Sequence, residues 1–207
     1  MTAHEPEEMT EKQRRVLEAA LEIFAEKGYA GASTSEIAKR AGVAEGTIFR
    51  HYKTKKDLLI GVVAPFFFRW VAPQFLKEVE AFVSRDFATF ESFVRAFFQN
   101  RYEFTKKNQK VMRIVVQELP FHAEVRELAM TFVIERLYPV MKPVIERFQA
   151  QGQVQPADPA SVVRVFASLL FGFMGPRFLL APELAWDDEA ELELLVKVAV
   201  DGLRPRR

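Results

Sequence analysis

The chain has 207 residues, 49% of them apolar, enough for one large or two modest domains with a sizeable core. It has no cysteine, which excludes disulfides, thiolate catalysis and cysteine-based zinc sites. Its 29 basic and 28 acidic residues leave a net charge of +1, which does not by itself point to a polyanionic partner.

Residues 1–10 read as a polar, acidic, frayed arm. The chain does not begin with the basic-then-apolar pattern of a signal peptide. No apolar run reaches the ~20 residues of a membrane helix, so a cytoplasmic protein with no membrane partner is expected. Val16, Ala20 and Phe24 lie one turn apart, with Leu17 and Leu21 beside them. They predict an amphipathic helix from Thr10 or Glu11 to Lys27, ended by Gly28.

The stretch STSEIAKRAGVAEGTIFRHYKTKKD, residues 33–57, carries the densest local signals. Ser33 and Glu36 have capping-box spacing, Ile37 and Ala41 face a core, and Gly42 suits a left-handed helix end. Val43 is read as a buried plug in the turn. A second helix from about Ala44 to Tyr52 turns Ile48 and Tyr52 inward. It leaves Glu45, Gly46, Thr47, Arg50 and His51 outward. Thr54 and Asp57 form another capping-box pair, and Lys53, Lys55 and Lys56 around it make a phosphate seat. From Ser33 to Lys56 there are six Lys or Arg against two Glu. Two short helices, a tight turn and a basic step into a third helix predict a helix-turn-helix reader of double-stranded DNA.

From Thr54 a helical pattern runs to about Val83 and contains Pro65 and Pro73, each expected to kink or break it. Pro65, one turn after Gly61, is predicted as a domain boundary and as a hinge between the DNA reader and the rest of the chain. Further helices are predicted over Thr89–Lys107, Gln109–Glu118, His122–Gln151 (interrupted by Pro139 and Pro143), Asp158–Leu180, and from Asp187 or Asp188 to Leu203. The sum is about nine helices, with no strand-period segment and no repeat: an all-α chain.

Eighteen of the 20 phenylalanines fall between residues 66 and 178. They make either a filled aromatic core or the wall of an apolar pocket. The candidate lining residues are Trp70, Phe97, Phe98, Tyr102, Met112, Phe132 and Met174, with Arg101, Arg113 and His122 as polar anchors. If they wall a pocket, it would suit a small apolar effector, such as a fatty-acyl-CoA whose anionic head could meet Arg101 and Arg113. The segment from Asp158 to Leu180 is apolar on more than one face and so needs a second partner surface. Phe166, Leu170, Phe173, Leu195, Val198 and Ala199 are the expected interface of a homodimer, matching a palindromic operator. No catalytic residue, cofactor or metal site is predicted. His4, His51 and His122 have no metal-ligand partner at helix spacing, and no glycine-rich loop resembles a phosphate cradle.

Residues 14–60, through the run RVLEAALEIFAEKGYAGASTSEIAKRAGVAEGTIFRHYKTKKDLL, resemble the N-terminal domain of TetR-type transcriptional regulators. The resemblance implies a three-helix DNA-binding domain over 11–56 and a helical ligand-binding and dimerisation domain over 57–207. By position it implies phosphate contacts at Ser33, Thr34, Thr47, His51 and Lys55. It implies base contacts at Ser35, Glu45, Gly46, Phe49 and Arg50. Two positions depart from the family pattern: Ala44 stands where a Ser or Thr usually caps the recognition helix, and Phe49 where a Tyr is common. The expected function is a ligand-responsive regulator, a repressor, and not an enzyme. The alternatives are a helix-turn-helix kept as scaffold for a protein partner, and an apolar-ligand carrier.

Overall fold

Local signals at the N-terminal end of the chain translate directly into helices. The structure, a computed structural model, describes residues 10–64 and 67–205; the side chains of His51, Val62, Val63, Trp70 and Leu179 lie outside that description. Helix α1 (Glu11–Gly31) starts at a reciprocal cap: Thr10 Oγ1 accepts from the Gln13 amide, and Gln13 Oε1 accepts from the Thr10 amide. Gly28 breaks it at φ 68°, where glycine alone is unstrained, and one more turn runs on to Gly31. Helix α2 (Thr34–Ala41) is capped by Ser33 and closed by Gly42 in the left-handed region. Helix α3 (Glu45–His51) has no side-chain cap, as Ala44 predicts. Helix α4 (Lys55–Leu58) starts at the Thr54–Asp57 capping box and runs directly into a π-helical turn, Leu59–Val63.

These helices belong to the first of two compact units, which continues to Arg69 and takes in Lys110–Arg126. It is larger than the 11–56 segment read from the sequence. The difference is residues 57–69 and the segment that holds most of helix α7 (Gln109–Glu118), whose Ile114 is buried in one core with Leu17, Phe24, Ile37, Ile48, Leu58 and Leu59. A smaller apolar cluster joins Ala64 to Val115 and Val125, with Phe67, Phe68 and Leu119 against it.

The second unit comprises Trp70–Gln109 and Glu127–Arg207. Its helices are α5 (Ala72–Val83), α6 (Phe90–Lys107), most of α8 (Ala123–Phe132), α9 (Tyr138–Ala150), α10 (Pro159–Gly175) and α11 (Asp188–Leu203). Its core is aromatic. Phe82, Phe90, Phe93, Phe97, Phe98, Phe148 and Phe166 are all buried, with ring centroids such as Phe93 and Phe97 5.6 Å apart. No strand occurs among the described residues.

Three of the long helical patterns change their winding beside a proline, whereas Pro143, expected to interrupt its helix, lies inside an unbroken α9. A π turn at Phe67–Val71 precedes Pro73, one at Val133–Leu137 precedes Pro139, and a third, Pro176–Leu180, begins on a proline. Proline lacks the donor for the carbonyl four residues back and presses on it, so the helix widens there. Pro65, the predicted hinge, lies outside the described residues. One expectation is corrected: Pro159–Phe178 spans 20 residues at a mean hydropathy of 1.3, so an apolar helix of membrane-spanning length does exist. Little of it is buried within the single chain.

Candidate nucleic-acid interface and effector site

Helix α3 is pinned from below by Ile48, which exposes 1% of its surface. Tyr52, its C-terminal cap, packs against the same core. This anchorage turns Glu45, Gly46, Phe49 and Arg50 to solvent. Phe49 is 44% exposed, an apolar ring offered outward from a reader helix, and can meet a thymine methyl. A Cβ built on Gly46 would touch nothing in the protein. Its smallness therefore serves no internal packing and leaves the backbone open to close approach from outside. Thr47 is half-buried, and the His51 side chain lies outside the described residues.

Ser33, Thr34 and Ser35 open α2. Ser33 accepts from the Glu36 amide at 3.2 Å, and its hydroxyl donates to Glu36 Oε2 at 3.1 Å. Thr34 Oγ1 donates to Glu45 Oε1 at 3.3 Å, tying the start of α2 to the start of α3. Helix α1 is bound to α2 by Lys27 with Glu36, and by Arg40 with Glu26 at 2.7 Å.

The three lysines of the basic step are not equivalent. Lys53 is exposed. Lys56 pairs with Glu124 at 2.9 Å. Lys55 turns inward: its Nζ donates to the carbonyls of Tyr29, Ala30 and Ala32 at 2.6, 3.1 and 2.9 Å, and sits 4.5 Å from the Tyr29 ring centre. An ammonium has three protons, and three carbonyls at the end of α1 take them. Lys55 is thus placed as a brace between α1 and α4, which differs from the phosphate contact the resemblance implies. Sequence spacing could not separate these roles, since all three lysines surround one helix start.

The residues expected to line an effector pocket do not fall in one unit. Met112, Arg113 and His122 belong to the first. His122 is buried edge-on against Tyr29, with ring centres 5.1 Å apart, and its Nε2 lies 3.2 Å from Glu118 Oε2. Burial raises the Glu118 pKa, opposed by the His122 and Lys55 charges. Arg113 reaches toward the Ala25 carbonyl at 3.5 Å. Phe97, Phe98, Arg101, Tyr102, Phe132 and Met174 belong to the second unit. Phe97 and Phe98 are part of the stacked aromatic core, and Phe98 lies 5.5 Å from Phe166. Tyr102 donates its hydroxyl to Asp188, which also takes Arg177 Nε at 2.8 Å. Burial and the neighbouring carboxylate push the Tyr102 pKa up to about 12. Trp70 has a side chain outside the described residues.

Arg101 is the outlier of the second unit. It is 3% exposed and lies on the apolar face of α6. Its guanidinium carbon is 4.3 Å from the Phe75 ring centre and 5.2 Å from that of Phe104. Glu78 Oε2 accepts from Nη2 at 3.2 Å, and Asn100 Oδ1 accepts from Nε at 3.1 Å. Burial outweighs the Glu78 charge and lowers the Arg101 pKa to about 10.

The expected dimer residues divide. Phe166, Phe173 and Ala199 expose 2%, 6% and 2% and face the second unit's own core, so they are not available to a partner. Leu170 and Leu195 are half-buried against that core. Val198 is 50% exposed, and the same two helices also expose Val165, Phe171 and Leu194.

Two family models match the chain. Residues 16–62 match that of the tetR family of bacterial regulatory proteins, and residues 89–203 match the AefR-like transcriptional repressor C-terminal domain. The chain belongs to the TetR family of transcriptional regulators. It is a DNA-binding regulator and not an enzyme. A Bacillus subtilis fatty acid metabolism regulator protein is 41% identical over 69 residues, a match covering 33% of each chain. FadR of Bacillus subtilis, solved with stearoyl-CoA, superposes with a TM-score of 0.69 at 22% identity, covering 92% of this chain and 99% of that one. A regulator-type protein of Saccharomonospora viridis, solved with choline, superposes at 0.71 with 21% identity, covering 95% and 99%. At these identities the superpositions establish the TetR-like two-domain helical fold.

Proposed function

We propose that this TetR-family regulator is a cytoplasmic repressor that grips a palindromic operator as a homodimer and lets go when an apolar effector, such as a fatty-acyl-CoA, binds its second unit. The observation that carries the DNA half is the outward set on α3: Gly46 with open space above it, Phe49 with its ring exposed, and Arg50 exposed beside them. In this reading Ser33, Thr34, Thr47 and Lys53 meet phosphates while Ser35, Glu45, Phe49 and Arg50 meet base edges. The aromatic wealth of the second unit supports an apolar ligand. So does the relationship to regulators whose names or ligands concern fatty acids. The exposed apolar positions Val165, Phe171, Leu194 and Val198 support pairing of two copies through α10 and α11.

A gel shift against the DNA upstream of the chain's own gene tests the reading, with and without added acyl-CoA. A specific complex is expected, weakening with salt and dissociating with the effector. Arg50→Ala is expected to relax preference at one operator position at a cost of about 1–3 kcal/mol. Retention of the complex at every concentration of acyl-CoA would refute release by that effector.

A further inference from the structure

Arg101 carries more hydrogen-bonding capacity than the protein uses. Its Nε and Nη2 donate to Asn100 and Glu78, but Nη1 is buried and has no partner among the described residues. Two N–H donors of a charged group thus end inside a cage of rings. Phe75 lies under the guanidinium, with Phe104 and Phe97 beside it at 5.2 and 6.0 Å. The Phe75 ring in turn touches Phe132 edge-on, with centres 6.1 Å apart. Leaving a buried charged donor unmet is costly, and natural structures seldom do so without a use. Here the carboxylate paired with it, Glu78, is itself 45% exposed and shared with solvent.

We propose that Nη1 of Arg101 is the seat for the carboxylate of an amphipathic acid, whose apolar chain lies along Phe75 and Phe132. This rests on the reading that an apolar effector binds the second unit, and departs from it in the head group: the effector is held there as a free acid in place of the coenzyme A thioester. The chemistry of the cage selects the head group. A carboxylate can accept from the two N–H protons of Nη1 in charge-assisted bonds, while both protons of Nη2 stay with Glu78 and Asn100. A phosphate carries up to two charges, and one arginine already half-neutralised by Glu78 cannot compensate them among phenylalanines. A thioester's coenzyme is too large and too charged for four rings to enclose. Access requires one ring to swing aside. Phe132 is placed to do so, because it is half-buried and ends α8 immediately before the π turn at Val133–Leu137.

The test uses the full chain and four probes of one chain length: dodecanoate, methyl dodecanoate, dodecanol and dodecanoyl-CoA, titrated calorimetrically. Dodecanoate is expected to bind at least about tenfold more tightly than its ester or alcohol, the ratio typical of one charge-assisted hydrogen bond. Arg101→Gln is expected to erase that preference while still binding the ester, and Arg101→Lys to keep part of it. Equal affinity of wild-type protein for acid and ester overturns the proposal without any variant, so a misfolded Arg101→Gln does not shelter it. Binding of dodecanoyl-CoA without binding of dodecanoate overturns this inference and leaves the broader effector reading intact. Binding of none of the four overturns both.

Discussion

Replacing Lys55 by methionine separates a brace from a phosphate contact. Methionine keeps an unbranched stem beside Tyr29 and removes only the ammonium. Three carbonyls at the end of α1 then lose their donor. The bond to Ala30 is solvent-exposed, so water replaces it at little cost. Those to Tyr29 and Ala32 are partly buried. A hydrogen bond from a charged donor is worth about 1.5–3 kcal/mol, and partial hydration of both carbonyls brings the pair down to roughly 2–3 kcal/mol in total. For a chain of this size that is a fall in melting temperature of roughly 5–10 °C. The assay has two parts, thermal unfolding and operator affinity measured across a salt series. Lys55→Met is expected to lower the melting temperature while leaving the slope of log affinity against log salt unchanged. Lys53→Met, at the exposed lysine, is expected to do the reverse, reducing the slope by about 1 with little change in stability. If Lys55→Met keeps the wild-type melting temperature and takes one unit from the slope, the brace is refuted and Lys55 is a phosphate contact.

Gly61→Ala puts a Cβ 3.0 Å from Cε1 and 3.3 Å from Cδ1 of Tyr52, the residue that caps α3. Better helix propensity, about 1 kcal/mol, offsets the crowding, so stability should hold while operator affinity drops severalfold in a gel shift; unchanged affinity would mean Tyr52 adjusts without moving α3. Val198→Asp is expected to yield a folded monomer by sedimentation and circular dichroism. Phe173→Asp should abolish the fold itself, since that ring is 6% exposed in the protomer core; a Val198→Asp dimer would refute the proposed face. Burial opposes ionisation of Asp188, but Arg177 and Tyr102 overcome it and hold the carboxyl below its ordinary value. Its contribution to stability is therefore complete at neutral pH and is lost as pH falls through that ordinary value and below. Asp188→Asn should flatten this acid limb of the melting temperature; an unaltered limb would show that other carboxylates set it.

The reader was legible in the sequence because its signals are local. Ser33, Gly42 and Thr54 act within four residues, and each forms the predicted cap. Ala44, lacking a polar side chain, forms none. What the sequence hid was every choice made by distant partners. Lys53, Lys55 and Lys56 look alike until the α1 carbonyls and Glu124 claim two of them. The stripe through Phe97, Phe98 and Tyr102 identifies a buried helix face, yet spacing does not say whether other rings fill the space opposite. A helix apolar on both sides carries no phase, so Phe166 and Phe173 were as eligible for the partner face as Val165 and Phe171. Arg101 was visible as a cation on an apolar stripe, but only its neighbours reveal a donor left over.

The Ile114 contact gives the reader an unusual order of assembly. Residues 70–109 form part of another unit before the chain returns through Lys110–Arg126 to complete the first. A ribosome therefore releases Leu58 and Leu59 well before Ile114, a member of the same buried core, has been made. The nascent reader must wait, partly open, while some forty further residues are translated, roughly 2–8 s at ordinary elongation rates. Fragments ending near residue 56 or 69 would be caught permanently in that state. The core beneath the helix-turn-helix thus includes a segment far outside it in sequence.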